Sequence, residues 1–239
     1  MERLQKLIAA AGICSRRQAE DMLRLGRVRL NGEIAHLGDR GDPAADLITL
    51  DGAPLAERPE FLTILLNKPA GVLCTCHDPQ ARTTVLDLLP PDLRQGGGLH
   101  PVGRLDAPSR GALLITNDGD LTLRLTHPRF GHRKTYRVWV RGRPGPTTLR
   151  RWRDGPPLDG LPSRPVDIRE LRHVRHATHL ELTLREGRNR QIRRTAAALG
   201  HPVLDLMRVG IGSLTLADLP EGHWRPLSPS ECRTLVESP

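Results

Sequence analysis

One carboxylate among arginines is the first candidate for chemistry in this sequence. Asp106 ends the segment PVGRLD at residues 101–106, two residues after Arg104, and the apolar run ALLIT follows at residues 112–116. In a chain of formal net charge +9, this acid is either half of a structural ion pair or a reactive group held next to a cation. The spacing by itself leaves both interpretations open.

The positive charge of the chain is concentrated in its second half. Residues 121–195 contain 19 Lys or Arg and six Asp or Glu, and the segment REGRNRQIRR at residues 185–194 has five arginines. If this segment is helical, Arg190, Arg193 and Arg194 share roughly one face. That face either binds RNA without specificity or turns one arginine inward to meet Asp106.

Tyrosine and histidine residues give two further candidates. Tyr136, the only tyrosine, lies in the basic segment HRKTYRV, where its ring is either a core residue or a platform for a base taken out of its stack. His173, His176 and His179 recur every three residues, but no Cys, Asp or Glu completes a metal-binding set at helical spacing. We therefore predict no metal site.

Composition narrows the class of protein. The 239 residues suffice for one or two domains, and 38% of them are hydrophobic. The sequence pI of about 10.5 indicates a polyanionic partner, of which nucleic acid is the commonest. The four cysteines form no C-x-x-C pair, and no apolar run approaches 18 residues. We expect free thiols and a cytoplasmic protein without a membrane span.

The first 58 residues have the pattern of a small α+β module. A helix over residues 2–11 precedes a second helix that begins at Ser15, with Gln18 as its capping-box partner. The turns Asn31-Gly32 and Asp51-Gly52 then predict two tight hairpins. Arginines at the start of the second helix, beside free backbone N–H groups, are typical of a phosphate site.

The rest of the chain has the pattern of a second, larger domain. AERPEF at residues 56–61 indicates a linker, and strands and helices then follow in no regular order, which favours an α+β fold with a mixed, largely antiparallel sheet. The predicted domains are therefore residues 1–58 and 59–239. The predicted strands cover residues 62–66, 113–116, 135–140, 166–171 and 180–184, and the predicted helices cover residues 121–127 and 190–199.

Two sets of motifs resemble known families. Residues 3–40, from RLQKLIAAAG through SRRQAE and GRVRLNG to HLGDR, resemble the RNA-binding module named after ribosomal protein four of the small subunit. A second series, in fixed order, resembles the pseudouridine synthases of the RsuA family (RsuA/RluB-like): NKPAGVLCT, VGRLDAPSRGALLITNDGDL, THPRFGHRKTYRV, LREGRNRQIRR and LMRVGIGSLTL. Together the two sets cover almost the entire chain.

The resemblance implies an isomerase that converts uridine to pseudouridine in ribosomal RNA, with no metal or organic cofactor. It implies that Asp106 is the catalytic residue, either as nucleophile at C1′ or as base for the 2′ proton, and that Arg188 pairs with it. It also implies that the Arg104 side chain fills the space of the flipped nucleotide and that the Tyr136 ring stacks on the base. The expected substrate-binding residues are Arg104, Tyr136, Arg188, Arg190, Gln191 and Arg193, and the expected RNA-binding residues are Arg3, Lys6, Ser15, Arg16, Arg17 and Arg27.

The sequence departs from the family pattern at Thr195, where Met is frequent, and at Arg110, which replaces a glutamate and could change RNA contacts. CTCHDPQARTTVLDLLP and HLGDRG favour members that act on large-subunit rRNA over the small-subunit enzyme. The alternative from another class is a noncatalytic RNA-binding ribosome-assembly factor, which would not need Asp106 and its partners. We expect a monomer whose partners are ribosomal RNA or ribosome-assembly intermediates.

Overall fold

A computed structural model describes residues 1–94 and 96–237, which form two compact units. The first unit consists of Met1–Leu62, Leu89–His100 and Thr116–Gly119, and the second of Thr63–Leu88, Pro101–Ile115 and the chain from Asp120. The domain boundary at residues 58 and 59 stays a prediction, since the first unit also takes in two later segments. Within the described ranges, no helix has the length and apolar character needed to cross a membrane.

The first unit packs two short helices against short strands. Leu4, Ile8 and Leu23 are buried in its core. The Gln18 backbone N–H donates to the Ser15 hydroxyl at 3.3 Å, and the Ser15 backbone N–H donates to the Gln18 side chain at 2.9 Å, so the predicted capping box is confirmed. The elements are α1 (Leu4–Ala10), α2 (Arg16–Arg24), α3 (Pro91–Arg94), β1 (Glu2–Arg3), β2 (Val28–Leu30), β3 (Glu33–Ile34), β4 (Arg40–Gly41), β5 (Ile48–Leu50) and β6 (Ala53–Pro54).

Both predicted hairpins of this unit are confirmed. Asn31 and Asp51 adopt φ of 52° and 51°, the left-handed conformation that a tight hairpin turn requires, and each is followed by a glycine. β2 pairs with β3 and β5 pairs with β6, both antiparallel, and β2 and β5 pair with each other in the middle of the sheet.

The second unit is built on a long mixed sheet. Its strands run in the order β11-β12-β10-β13-β9-β7-β15, and β13 and β9 are parallel whereas the neighbouring β10, β12 and β11 are antiparallel. The predicted α+β class with a mixed, mostly antiparallel sheet is confirmed. The elements are β7 (Thr63–Lys68), β8 (His100–Pro101), β9 (Arg110–Thr116), α4 (Gly119–Thr126), β10 (Lys134–Arg141), α5 (Pro146–Arg153), β11 (Asp167–Val174), β12 (Ala177–Leu184), α6 (Gln191–Ala198), β13 (Val203–Ile211), β14 (Leu214–Thr215), β15 (Trp224–Pro226) and α7 (Pro229–Glu237).

Two hydrophobic clusters support this sheet. In one, Val138 of β10 and Leu182 of β12 pack with Trp152 of α5 and Ile192 of α6. In the other, residues of β7 and β9, such as Leu114, pack with α4 and α7. The alternation of buried and exposed residues along β10 and β12 leaves one face of these strands on the first cluster.

A glycine allows two neighbouring strands of the sheet, β9 and β13, to approach each other closely. Gly111 of β9 lies opposite Arg208 of β13 and adopts a φ of 107°. A Cβ atom at this position would lie 2.2 Å from the Arg208 carbonyl oxygen and 2.7 Å from its nitrogen. Because those atoms belong to the backbone, a side chain here cannot be accommodated by a rotamer change.

We expect Gly111→Ala to destabilise the protein by about 3 kcal/mol or more, because it combines the unfavourable φ with a backbone clash. Urea unfolding followed by circular dichroism measures this change. Gly119→Ala is the matched control, since a Cβ there meets nothing within 4 Å. Equal stability of the two variants would contradict this account of the β9–β13 contact.

Candidate active site

The second unit contains a pocket of about 680 Å³ that gathers the motifs singled out in the sequence. Its wall includes the loop with Arg104 and Asp106, the start of β10 with Tyr136, and the segment from Arg185 to Arg193. These segments are far apart in the sequence and meet because β10 and β13 lie side by side in the sheet and β9 is the next strand beyond β13. The volume is in the range of sites that enclose a small organic group such as a base.

A buried lysine forms hydrogen bonds to the backbone of the loop that carries Asp106. Lys68, the last residue of β7, is 0% exposed, and its ammonium donates to the carbonyl oxygens of Pro69 at 2.8 Å, Ala107 at 3.2 Å and Ser109 at 2.7 Å. The Asp106 carbonyl lies 3.5 Å from the same ammonium. Burial lowers the pKa of Lys68, and the nearby Cys74, Asp106 and Glu221 oppose that shift.

Asp106 lies next to two arginines but accepts no side-chain hydrogen bond within the described part of the chain. Its Oδ2 is 3.9 Å from Nε of Arg190 and 4.0 Å from Nε of Arg193. The side chain is one-third exposed and faces the pocket. The guanidinium groups therefore supply positive potential while both carboxylate oxygens stay accessible to a substrate.

The sequence-based choice of Arg188 as the partner of Asp106 is wrong. The Arg188 guanidinium donates to the carbonyl oxygens of Leu161 at 3.0 Å and of Pro162, and its Nε lies 3.6 Å from Glu186. These acceptors draw the side chain toward the segment before β11. Arg190 and Arg193 lie beside the carboxylate instead, in agreement with the alternative that this arginine-rich segment turns inward to meet Asp106.

The backbone at Arg190 explains why this side chain reaches the pocket. Arg190 precedes α6 and adopts the left-handed conformation, with φ of 48°, which is rare for a residue other than glycine. The predicted helix over residues 190–199 is in fact shorter, and Arg190 is its N-terminal flanking residue. Arg193 follows within the first turn, whereas Arg194 pairs with Asp159 away from Asp106.

Gln191 and Glu186 tie the start of α6 to the preceding strand. The Gln191 side-chain amide donates to Glu186 at 2.6 Å, and its oxygen accepts from the backbone N–H of Arg188 at 3.3 Å. Gln191 is buried, at 6% exposure. Both ends of this amide are thus used within the protein, and its expected contact with the substrate stays a prediction.

Tyr136 and Arg104 both line the pocket. The Tyr136 ring is half-buried and packs against the hydrophobic cluster under β10. The ring contacts the core and also forms part of the pocket wall, and its expected stacking on a base stays a prediction. Arg104 is exposed at the pocket, two residues after Val102, which is buried.

Two residues that sequence reasoning did not single out shape the Asp106 loop. Lys68 was visible only as a charged residue at the end of an apolar strand, in the motif NKPAGVLCT. Cys74 Sγ accepts the backbone N–H of Leu105 at 3.3 Å, and burial raises the pKa of its thiol. A lone buried Lys or Cys gives no signal of its partners in a sequence, because the partners that matter here, the Ala107 and Ser109 carbonyls and the Leu105 N–H, come from a distant loop.

Arg110, the departure from the family pattern, forms a structural ion pair. Its guanidinium donates to Asp205 of β13 at 3.0 and 2.8 Å and lies 3.4 Å from Glu221. The Arg110 guanidinium holds the pKa of Asp205 below its usual range. The Arg110 guanidinium is already paired with two carboxylates. This arrangement therefore does not support the expectation that Arg110 alters RNA contacts.

In the first unit, some of the expected RNA-binding side chains are exposed and others are paired with a carboxylate. Arg3, Arg16 and Arg17 are exposed, and Lys6 binds Glu2 at 2.7 Å. Arg27 instead forms a bidentate pair with Asp51, at 2.9 and 2.6 Å. A phosphate at Arg27 would have to share the guanidinium with that carboxylate.

The evenly spaced histidines take part in other contacts. His173 Nδ1 lies 3.1 Å from the Thr178 hydroxyl, and His179 stacks on Trp139 with ring centroids 4.5 Å apart. Across residues 1–94 and 96–237, no group of three or more His, Cys, Asp or Glu is placed to hold a metal ion.

We expect Lys68→Met to destabilise the protein by roughly 2–3 kcal/mol, because it leaves buried carbonyl groups of the Asp106 loop without a donor. The measurement is urea unfolding of the purified variant. Lys6→Met is the control, since the Lys6 ammonium binds Glu2 at the surface and its removal should change stability little. Wild-type stability of Lys68→Met would contradict the anchoring role.

Comparisons with known proteins agree with this geometry. Residues 62–198 match the family described as RNA pseudouridylate synthase, and residues 2–40 match the S4 domain. The chain is 38% identical to the ribosomal large subunit pseudouridine synthase B of Bacillus subtilis, covering 98% of this chain and 96% of that protein. It is 37% identical to a protein of Aquifex aeolicus named as an RNA pseudouridine synthase, covering 99% and 94%.

A solved structure extends the likeness to three dimensions. The crystal structure of a pseudouridylate synthase, 33% identical, superposes with a TM-score of 0.72 and covers 99% of this chain and 100% of that one. The family match covers the pocket-lining segments except that of β13, and the S4 match lies on α1, α2 and the first strands. The chain therefore belongs to the RNA pseudouridylate synthase family and carries an S4 domain before its catalytic domain.

Proposed function

We propose that this enzyme isomerises a specific uridine of large-subunit ribosomal RNA, with Asp106 as the catalytic carboxylate acting on a nucleotide flipped out of the RNA. The observation that carries the proposal is the position of Asp106. Its carboxylate lies in the pocket wall, 3.9 and 4.0 Å from two arginine nitrogens, and no described side chain or backbone group donates a hydrogen bond to it. A carboxylate so placed is accessible to a substrate.

The proposed reaction is a balanced rearrangement. The C1′–N1 glycosidic bond breaks, the uracil ring turns within the pocket, and a C1′–C5 bond forms. C5 loses a proton and N1 gains one, so no electron acceptor is required. As a nucleophile, Asp106 attacks C1′ as the C1′–N1 bond breaks, and its bond to C1′ breaks in turn when C5 attacks. As a base, it removes the 2′ proton and later returns it to C2′. In either route the nearby Arg190 and Arg193 stabilise its negative charge.

The pocket walls fit a nucleotide taken out of its stack. Chemistry at C1′ inside an RNA requires that the nucleotide be extruded, at a cost of a few kcal/mol for unstacking. The Tyr136 ring, on the wall of the pocket, is a surface on which the uracil stacks. The exposed Arg104 guanidinium fills the space that the nucleotide leaves in the RNA.

The S4 domain supplies a second RNA contact. Arg16 and Arg17 lie exposed at the start of α2, where free backbone N–H groups and the helix dipole favour a phosphate. Contacts of this kind position an RNA without reading its bases. The expectation that the protein acts as a cytoplasmic monomer stays a prediction.

The choice of large-subunit RNA rests on relatives. Proteins of Bacillus subtilis and Pasteurella multocida, each 38% identical, are named ribosomal large subunit pseudouridine synthase B. The second candidate from the same class is a small-subunit enzyme. A noncatalytic assembly factor is disfavoured, because a pure binder does not require an accessible carboxylate among arginines.

We expect Asp106→Asn to fold and to bind rRNA but to form pseudouridine at a rate lower by on the order of 10³-fold, because an amide neither attacks C1′ nor accepts the 2′ proton. Large-subunit and small-subunit rRNA transcripts are each incubated with the protein, and pseudouridine is mapped by carbodiimide labelling and primer extension.

Asp154→Asn is the matched control, since Asp154 is exposed at the end of α5 and should have wild-type activity. Conversion by Asp106→Asn at more than a few per cent of the wild-type rate would remove Asp106 from the mechanism. Conversion of the small-subunit transcript alone would establish the small-subunit alternative.

The two functions of Tyr136 can be separated by substitution. Tyr136→Leu loses the flat ring and should weaken capture of the flipped base by about one to two decades, because a base–aromatic stack is worth roughly 1–3 kcal/mol. Tyr136→Phe keeps the ring, so it should bind normally and react slowly only if the hydroxyl moves a proton. RNA affinity and single-turnover rate test both. Unchanged values in both variants would leave Tyr136 as a core residue only.

A further inference from the structure

One part of the pocket wall carries positive charge that has no acidic partner among the residues the structure describes. Lys134, the first residue of β10, and Arg208 of β13 both line the pocket. The Lys134 ammonium makes no hydrogen bond or ion pair within residues 1–94 and 96–237. Arg208 is 3% exposed and donates from Nε to the Ala112 carbonyl at 2.6 Å, but its buried Nη2 has no partner among these residues.

The surrounding wall offers these two cations no counterion. Asp78, Asp106 and Glu186 are its acidic residues, and each has arginine neighbours of its own, namely Arg82, the pair Arg190 and Arg193, and Arg188. The basic residues of the same wall are Arg104, Lys134, Arg185, Arg188, Arg190, Arg193 and Arg208.

The pKa of Lys134 reflects the excess of basic over acidic residues in the pocket wall. Burial and the neighbouring Arg208 lower the pKa of Lys134 to about 8. The imidazole of His132, two residues earlier and only 4% exposed, also lines the pocket with an Nδ1 atom that has no partner among the described residues. Burial and Lys134 lower the pKa of His132, which favours the neutral imidazole, and a neutral ring does not offset the charge of the two cations.

We propose that Lys134 and Arg208 form a binding site for a phosphate group of the RNA chain next to the flipped uridine. This inference rests on the proposed function, which brings an RNA strand into the pocket. A phosphate supplies the negative charge and the acceptor oxygens that the ammonium and the free Nη2 lack. The His132 ring lies beside this pair and can donate to the same group.

Lys68 provides an internal comparison for this assignment. Lys68 is fully buried and Lys134 is half-buried, and burial lowers the pKa of both lysines. Lys68 donates to several backbone carbonyls, as a structural lysine does, whereas Lys134 donates to none of the described residues. Keeping a half-buried cation next to the buried Arg208 is costly unless a ligand compensates the charge, so the difference points to an anionic ligand.

A phosphate explains the pair better than a neutral base does. The carbonyl oxygens of uracil accept hydrogen bonds but carry no net charge, so they would leave the repulsion between Lys134 and Arg208 in place. A phosphate neutralises charge and accepts from both side chains together. The site would then hold the RNA backbone while Tyr136, two residues along the same strand and on the same pocket wall, contacts the base.

The test compares the salt dependence of RNA binding for three variants, each in the Asp106→Asn background so that the RNA is not converted. The probe is full-length large-subunit rRNA transcript, and the dissociation constant is measured between 50 and 300 mM KCl. Each phosphate neutralised contributes about 0.7–0.9 to the slope of log K against log salt concentration. The variants are Lys134→Met, Lys134→Arg and Arg233→Met, the last removing an exposed charge on α7 outside the pocket.

We expect Lys134→Met to weaken binding by about three- to tenfold at 150 mM salt and to lower the magnitude of the slope by about 0.7–0.9. Lys134→Arg should keep the wild-type slope, because it keeps the charge. Arg233→Met should keep both slope and affinity. Thermal unfolding of each variant shows that the comparison concerns folded protein.

A Lys134→Met variant with unchanged slope overturns the inference, even if affinity falls, because a neutral acceptor would then be the ligand. Pseudouridine formation by the wild-type protein is assayed on the same transcript. If the wild-type protein converts uridine and the slope is unchanged, only the phosphate site fails. If the wild-type protein converts no uridine, the proposed function fails, whatever the slope shows.

Discussion

Three close hydrogen bonds from the buried ammonium of Lys68 fix the loop that carries Asp106, the proposed catalytic residue. The acceptors are the carbonyl oxygens of Pro69, Ala107 and Ser109, and the last two lie in the loop that begins at Asp106. A charged donor in a nonpolar interior makes stronger hydrogen bonds than it would in water, so this loop is rigid where it meets the sheet. The Asp106 side chain projects from the anchored loop into the pocket.

The remainder of the pocket is arranged around that fixed carboxylate. Gly111 lets β9 approach β13 closely, which brings the Asp106 loop and Arg208 into one wall. On the other side, the left-handed backbone at Arg190 and the first turn of α6 bring two guanidinium groups to about 4 Å from the carboxylate. The two guanidinium groups are therefore in place before any RNA is bound. Charged groups that are fixed in advance in this way are the usual origin of electrostatic catalysis.

Local features were predictable from the sequence, and long-range pairings were not. The Ser15 capping box and the Asn31 hairpin depend on residues within a few positions of each other, and both are confirmed. The family motifs correctly indicated the enzyme class and gathered Asp106 with the arginine-rich segment. They did not indicate which arginine lies beside Asp106, because that depends on the backbone at Arg190 and on carbonyl acceptors that hold Arg188 elsewhere. Strand β13 was not predicted either, since its partners β9 and β10 are distant in sequence.

The most direct test of the central claim, that the carboxylate of Asp106 carries out an isomerisation on ribosomal RNA, is a map of pseudouridines in rRNA from living cells. Cells that lack this protein are compared with cells in which the wild-type or the Asp106→Asn chain is restored at equal abundance. The account predicts that one large-subunit position loses its pseudouridine in the deletion and regains it with the wild-type chain alone. An unchanged map in the deletion, or full restoration by Asp106→Asn, would contradict it.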